Sequence, residues 1–311
     1  MGFMRRVFRT PSVAGLAVFS FLMFGRATAQ DMGTAKFVDV DGIRTRYFDA
    51  GTGENLVLIH GGGIDQGGGG AKAAWSEIFS GLAQHFHVYA FDKLGMGETD
   101  LPKGEADYTI DATIKHAYDF MRKLGIQSTN LAGQSRGALP AARIAVDHPE
   151  MVKNLILFDS ATFAPEDPST PIDYYVKQEA LHPRAYTPKE EKGREIMRKL
   201  QSQYIERNRE KVKNDPQLGI STSPSPFWIA DTKLETHKLI KEGRLKAPTL
   251  IIWGYNDPSA PVILASRVMN LIFPVVPQAE LYIFNEAKHH PWSDHPQETI
   301  KLIVDFIKNP S

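Results

Sequence analysis

Short apolar runs alternate with longer amphipathic stretches along most of this chain. Runs at 36–40, 43–49, 56–60, 87–92, 129–132, 154–159, 249–253 and 281–284 are rich in β-branched, aliphatic and aromatic residues, the composition of strands. Between them, 71–83, 110–124, 136–147, 261–271 and 296–308 repeat apolar residues at helical spacing. Leu56 to Ile59 is apolar without interruption, as a strand buried on both faces requires. Asp41-Gly42 joins the first two runs and takes the positive φ of a tight hairpin readily. Strands separated by helices predict an α/β fold, with a mostly parallel eight-stranded sheet flanked by helices.

Two stretches break the alternation. Positions 163–246 carry no strand pattern over 84 residues, include Pro165, Pro168 and Pro171, and from Lys189 to Lys213 consist almost wholly of helix formers. An insertion of that length after the sixth strand predicts a helical lid, set between core segments 30–162 and 247–311. The other stretch is the N-terminus. Arg5, Arg6 and Arg9 precede the apolar run Val13 to Phe24, and Ala27-Thr28-Ala29 follows. That three-part order is the pattern of a cleaved signal peptide over 1–29, with an uncleaved anchor as the alternative. Twelve apolar residues are too few to span roughly 30 Å of hydrocarbon. The expectation is a periplasmic or secreted protein with no stable membrane insertion after cleavage at Ala29.

Composition narrows the chemistry. Lys+Arg and Asp+Glu both number 36 among 311 residues, so no basic excess marks nucleic acid as a partner. The absence of cysteine excludes a disulfide framework, a thiolate metal site and a thiol nucleophile. The function is therefore to be sought among hydroxyl, imidazole and carboxylate groups, and three strand ends carry them.

Gly133-Gln134-Ser135-Arg136-Gly137 lies between a strand and a helix. A serine at so sharp a turn projects its Oγ above the sheet edge, and the flanking glycines relieve crowding against the neighbouring backbone. The helix that follows adds amide donors and a positive dipole end beside the hydroxyl. Upstream, His60-Gly61-Gly62-Gly63 closes a strand and opens a tract with seven glycines in ten residues. Glycines there let amides approach a developing oxyanion, although they cradle phosphates equally well. Neither nucleotide motif is completed: Gly70-Ala71-Lys72-Ala73 lacks the Lys-Ser/Thr pair, and Gly95-Met96-Gly97 lacks a third glycine. A serine hydroxyl needs a base oriented by an acid. Asp257 and Asp159, each just past a strand, are the acid candidates, and His289 and His290 the bases. His295 adds a third imidazole, but the spacing is not that of a helical zinc site, and no metal is expected.

In the order Ser135, Asp257, His289 the chain resembles the α/β-hydrolases over residues 36–308. The resemblance selects His289, because in that family an acid often follows the histidine by five residues and proline by two more, here Asp294 and Pro296. It implies an oxyanion hole from the amides of Gly62 and Arg136, and it makes Asp92 to Asp100 a structural loop. Gly63, Gln134 and His290, beside these groups, are the expected substrate contacts. For the Arg136 side chain, a substrate carboxylate and a neighbouring acid such as Asp159 are both open. Of the aromatics Phe163, Tyr174, Tyr175, Phe227 and Trp228, some are expected to line the cavity and the rest to fill the core. The His60 turn, the Asp92–Asp100 loop and Tyr108-Thr109-Ile110-Asp111 are similar to the meta-cleavage-product hydrolases, which break a carbon–carbon bond in dienoic ring-fission acids. Gln134, Arg136 and His290 depart from the Asn, small apolar residue and Trp usual there. The expectation is a serine hydrolase acting on a small acyl substrate, an ester or lactone, through an acyl-enzyme and without cofactor. Carbon–carbon hydrolysis is the alternative, ahead of a cofactor-free perhydrolase or a non-catalytic binding protein.

Overall fold

The computed structural model describes residues 32–67, 69–166, 186–220 and 223–309. The expected leader at 1–29 and the aromatics Tyr174 and Tyr175 lie outside the described residues. Eight strands form one sheet in the order β1-β2-β4-β3-β5-β6-β7-β8. They are β1 (Lys36–Val40), β2 (Ile43–Ala50), β3 (Asn55–Ile59), β4 (His87–Phe91), β5 (Thr129–Gln134), β6 (Val152–Phe158), β7 (Thr249–Gly254) and β8 (Ala279–Phe284). Only the pairings of β2 with β1 and β4 are antiparallel. The central parallel strands β3, β5, β6 and β7 are buried on both faces, and alternate residues enter two cores, whereas the edge strand β8 is partly exposed. Val57, Ile59, Leu157 and Trp253 belong to one, and Leu56, Leu58, Phe158 and Ile252 to the other.

Helices α1 (Gly70–Leu82), α2 (Ile110–Lys123) and α3 (Ala138–Asp147) alternate with these strands. After β6 come α4 (Pro188–Arg207), α5 (Arg209–Asn214) and α6 (Ala230–Lys241), then α7 (Ile263–Ile272), α8 (Pro291–Asp294) and α9 (Pro296–Lys308). Local chemistry explains several boundaries. Thr109 caps α2 by accepting the Ala112 amide at 3.1 Å. Thr187 and Glu190 form a capping box at the start of α4, with Pro188 in the first turn. The helix expected from 136 differs at its start: Ser135–Gly137 is a tight 3₁₀ turn, and α3 proper begins at Ala138. The elbow's backbone is wound too tightly there for α geometry.

The described part of the segment between β6 and β7 carries helices joined by turns and no strand. It is not uniform. Phe163, Ile229 and Ile240 are buried in the core on the α3 side, so α6 covers the sheet as the other helices do. By contrast α4 buries only Gly193 and Met197 and rides over the loops at the sheet's carboxyl edge. Its Lys189 donates to Gly97 O and Thr99 O, each at 2.6 Å, and its Arg194 donates to Asp65 O at 3.1 Å. No helix among the described residues is long and apolar enough to cross a membrane.

Candidate active site

The parallel register brings the ends of β3, β4, β5, β6, β7 and β8 to one edge of the sheet, where Ile59 pairs with Phe91, Gln134 with Phe158, and Gly254 with Phe284. The loops leaving that edge carry His60, Asp92, Ser135, Asp159, Asp257 and His289. Carboxyl edges of open parallel sheets are where such folds bind ligands.

Ser135 occupies the left-handed region at φ 51°, a conformation costing roughly 1–3 kcal/mol in a non-glycine residue. Its neighbours explain how the turn closes. A Cβ on Gly133 would stand 2.4 Å from Gly137 O, and one on Gly137 2.3 Å from Ile59 O. Both glycines are thus required by backbone approach. Ser160 Oγ donates to Ser135 O at 2.6 Å and ties the elbow to the end of β6.

The glycine turn after β3 rests on the serine: a Cβ on Gly61 would lie 2.9 Å from Ser135 Cβ. His60 is buried and directs this turn. Its Nε2 accepts the Lys93 amide at 3.0 Å, so its Nδ1 carries the hydrogen and donates to Gly61 O at 2.7 Å. The C=O and N–H of a trans peptide point in opposite directions. By holding Gly61 O, His60 sets the direction of the Gly62 amide. Burial first, and then the Lys93 charge, hold His60 well below its ordinary pKa, which keeps this imidazole neutral. It is a structural group, not a second base.

His289 is the imidazole paired with a buried carboxylate. Its Nδ1 donates to Asp257 Oδ2 at 2.7 Å, with the Asp257 side chain wholly buried and 22% of the His289 side chain exposed. Asp257 Oδ1 accepts the Ser259 and Ala260 amides at 2.7 and 3.0 Å. These donors fix the carboxylate in one rotamer, aimed at the imidazole. The loops bearing the two residues touch: Asn256 N donates to Ala287 O at 2.9 Å, and a Cβ on Gly254 would strike Lys288 O at 2.2 Å. Asp294 accepts the Lys288 amide at 3.1 Å, which gives the His-plus-five acid its physical role as a loop clamp. Gln134 Nε2 donates to His289 O at 3.2 Å and links the elbow to the histidine loop. His290 is exposed, with its ring edge-on to His289 and Trp292.

Asp159 and His295 are placed elsewhere. Asp159 is buried behind Asp257, where its Oδ1 accepts the Gly254 amide at 2.7 Å. His295 stacks on Phe284 and bonds Asn285 O at 2.9 Å. Among the described residues no cluster of three His, Asp or Glu side chains is arranged to hold a metal ion.

A cleft lies beside the elbow, lined by Gly62 and Gly63 together with Lys93, Asp65, Arg136, Met96 and Trp228. Arg136 folds onto an acid, but that acid is Asp65, not the Asp159 suggested by chain order. Its guanidinium meets Asp65 Oδ1 and Oδ2 at 2.8 and 2.9 Å and sits 5.0 Å from the Trp228 ring centroid. Gly63 packs between them: a Cβ there would come within 2.8 Å of Asp65 Oδ1. Lys93, only 3% exposed, donates to Gly62 O at 2.7 Å. Burial, and secondarily Arg136, bring its pKa down to about 7, while Asp65 pulls the other way. Phe163 belongs to the core, Phe227 stacks on Tyr204, and Trp228 lines the cavity. Lys93 and Asp65 are pocket residues that sequence reasoning passes over. The available signal is faint: one lysine in the otherwise apolar and glycine-rich Leu94-Gly95-Met96-Gly97 loop, and one aspartate inside a glycine tract.

Comparison with known proteins places this arrangement. The chain is 28% identical over 278 residues to a 2-hydroxy-6-oxo-6-(2'-aminophenyl)hexa-2,4-dienoic acid hydrolase of Metapseudomonas resinovorans, covering 88% of this chain and 90% of that protein. It is 27% identical over 277 residues to a 2-hydroxymuconate semialdehyde hydrolase of Pseudomonas sp. (strain CF600), covering 86% and 91%. A solved meta-cleavage product hydrolase from Pseudomonas fluorescens IP01 superposes with a TM-score of 0.61 at 22% identity, covering 89% of this chain and 98% of that one. A putative lipase from Acinetobacter baumannii AYE superposes with a TM-score of 0.63, also at 22% identity, covering 88% and 91%. Those two likenesses show the fold. Residues 54–296 match the model of the alpha/beta hydrolase fold family, and with that match over most of its length the chain belongs to the α/β-hydrolases.

Proposed function

We propose that this enzyme uses Ser135 as nucleophile, His289 as general base and Asp257 as the acid that orients it. Its substrate, in this reading, is an organic acid of the dienoic ring-fission type, cleaved at a carbon–carbon bond. The observation that carries the substrate choice is the cavity beside the elbow. Lys93 and Arg136 are both buried there against one carboxylate, Asp65. Among the described residues that line the cavity, Lys93 and Arg136 bring two cationic side chains and Asp65 one carboxylate. A substrate carboxylate suits such a lining, because a charged acceptor makes a stronger hydrogen bond to a buried ammonium than a neutral ester carbonyl does. The names of the curated relatives favour the same class of substrate.

In the reaction, His289 Nε2 takes the Ser135 proton as Oγ attacks the substrate ketone carbon. The amides of Gly62 and Arg136 receive the oxyanion. Collapse breaks the carbon–carbon bond, and the departing carbanion, delocalised over the dienoate, takes the proton from His289. Water then attacks the acyl-enzyme with His289 again as base and releases a second acid. Cleavage of an ester or lactone by the same groups is the second reading. It is favoured by Gln134 and His290, which replace the Asn and Trp usual in carbon–carbon hydrolases.

The test is steady-state turnover of a chromogenic dienoic ring-fission acid beside p-nitrophenyl esters from acetate to laurate, with Ser135→Ala in parallel. The expected result is a higher kcat/KM on the acid than on any ester, lost by a factor of about 10⁴ or more in the variant. Turnover of esters with none of the acid would move the second reading to first place.

A further inference from the structure

The carboxyl group behind the triad is not used by the mechanism above. Asp159 closes β6 in the left-handed region at φ 41°, an uncommon place for a non-glycine residue. It is wholly buried. One oxygen, Oδ1, accepts the Gly254 amide at 2.7 Å. The other, Oδ2, is buried and meets no protein donor. The group within its hydrogen-bonding reach is the carboxyl of Asp257, which as a carboxylate is itself only an acceptor. Two buried carboxylates in contact cannot both be ionised, so the pair holds one proton. The donors decide which oxygen keeps it. Asp257 has three (His289 Nδ1, Ser259 N and Ala260 N) and Asp159 has one. The better-solvated member carries the charge.

We propose that Asp159 is a positioning residue for the triad: it stands as a neutral carboxylic acid whose O–H donates to Asp257 and locks that carboxylate toward His289. The inference rests on the assignment of Asp257 and His289 above. It completes an otherwise orphaned buried oxygen and gives Asp257 a fourth donor. Burial, and then the Asp257 charge, push the Asp159 carboxyl well above the usual carboxylate range, in agreement with that state. The fourth donor also disperses the Asp257 charge. Its pull on the His289 proton is then weaker than that of an unsupported carboxylate.

Two variants of the full-length protein separate this from a plain packing role. Asp159→Asn keeps the shape, the acceptor for Gly254 and a neutral donor to Asp257. Asp159→Leu removes the donor. The readout is the His289 titration midpoint by carbon-13 NMR of labelled imidazoles, with the pH dependence of fluorophosphonate labelling at Ser135 beside it. The expected result is an unchanged midpoint in Asp159→Asn and a midpoint raised by about half a pH unit or more in Asp159→Leu. A midpoint lowered in Asp159→Asn would mean that a negative charge had been removed, and would overturn the proposal. Should Asp159→Leu fail to fold, the sign in Asp159→Asn still decides. Failure of wild-type Ser135 to label at any pH would count against the serine-hydrolase reading alone, because the NMR midpoint judges Asp159 without turnover.

Discussion

Lys93 shows how much a single side chain decides here. Its ammonium is held between Gly62 O, the Arg136 charge and Asp65, and its pKa of about 7 follows from burial more than from any neighbour. An anionic substrate binds the protonated form. Binding is therefore favoured below pH 7 and weakens as the ammonium loses its proton above it. The measurement is KM for a carboxylate-bearing substrate and its neutral amide from pH 6 to 9. KM is expected to rise with pH for the acid alone, and a parallel rise for the amide would remove Lys93 from recognition. In Lys93→Met the acid should lose about 1.5–3 kcal/mol of binding, roughly a 10- to 150-fold rise in KM, the range for a hydrogen bond to a charged group. The candidates Ser135, Asp257 and His289 could be picked from the chain because each sits in a local motif: Gly-x-Ser-x-Gly, a turn after a strand, a histidine with an acid five residues on. Lys93 and Asp65 have no such motif. Their roles come from meeting Arg136, with which Asp65 pairs across 71 residues.

At the scale of the element, the nucleophile turn and the end of α2 offer a matched test. Gly133→Ala would place a methyl 2.4 Å from Gly137 O and 2.7 Å from Ala138 Cα, both backbone atoms that cannot step aside. Overpacking of this kind costs about 1–3 kcal/mol, and relief by shifting the elbow would misplace Ser135. Thermal unfolding and kcat are both expected to fall. Gly125, at φ 72° just past α2, has open space around it. Gly125→Ala carries only the left-handed penalty of about 1–2 kcal/mol, read as a lowered Tm at unchanged kcat. Retained activity in Gly133→Ala would show that the turn tolerates a side chain and that its glycine is not steric in origin. The elements themselves were largely legible, since apolar periodicity and capping residues act within a few positions of each other. The 3₁₀ start at Ser135–Gly137 was not. It lies where Ile59 O and His60 O, at the end of another strand, leave no room for a side chain at Gly137.

Across the whole molecule, buried histidines set the response to acid. His116 and His237 are held at about pKa 4, and His60 well below its ordinary value, in each case chiefly by burial. Between pH 6.5 and 4 the unfolded chain binds protons at these three sites and the folded chain does not, so stability falls on acidification. Asp159 acts in the opposite sense, because folded protein keeps a proton there that the unfolded chain releases. Lys93 does so more weakly, because the folded chain completes its protonation just below pH 7. Three sites against these two leave a net loss, and the denaturant midpoint at pH 5 is expected below that at pH 7. A midpoint equal or higher at pH 5 would contradict the neutral, buried state of these imidazoles.

The sequence by itself determined the class of fold, most of the elements and the candidates for the reactive groups. Period, turn chemistry and short motifs operate between near neighbours, and an unbroken apolar run such as Leu56 to Ile59 has few places to go but the middle of a sheet. Only the tertiary structure decided what surrounds those groups. It chose Asp257 over Asp159 as the partner of His289, Asp65 over Asp159 as the partner of Arg136, and a cavity lined with Lys93. Those choices depend on distance and shared burial between strand ends far apart in the chain, and charge–charge energies in a desolvated site follow geometry, which spacing along the backbone does not record.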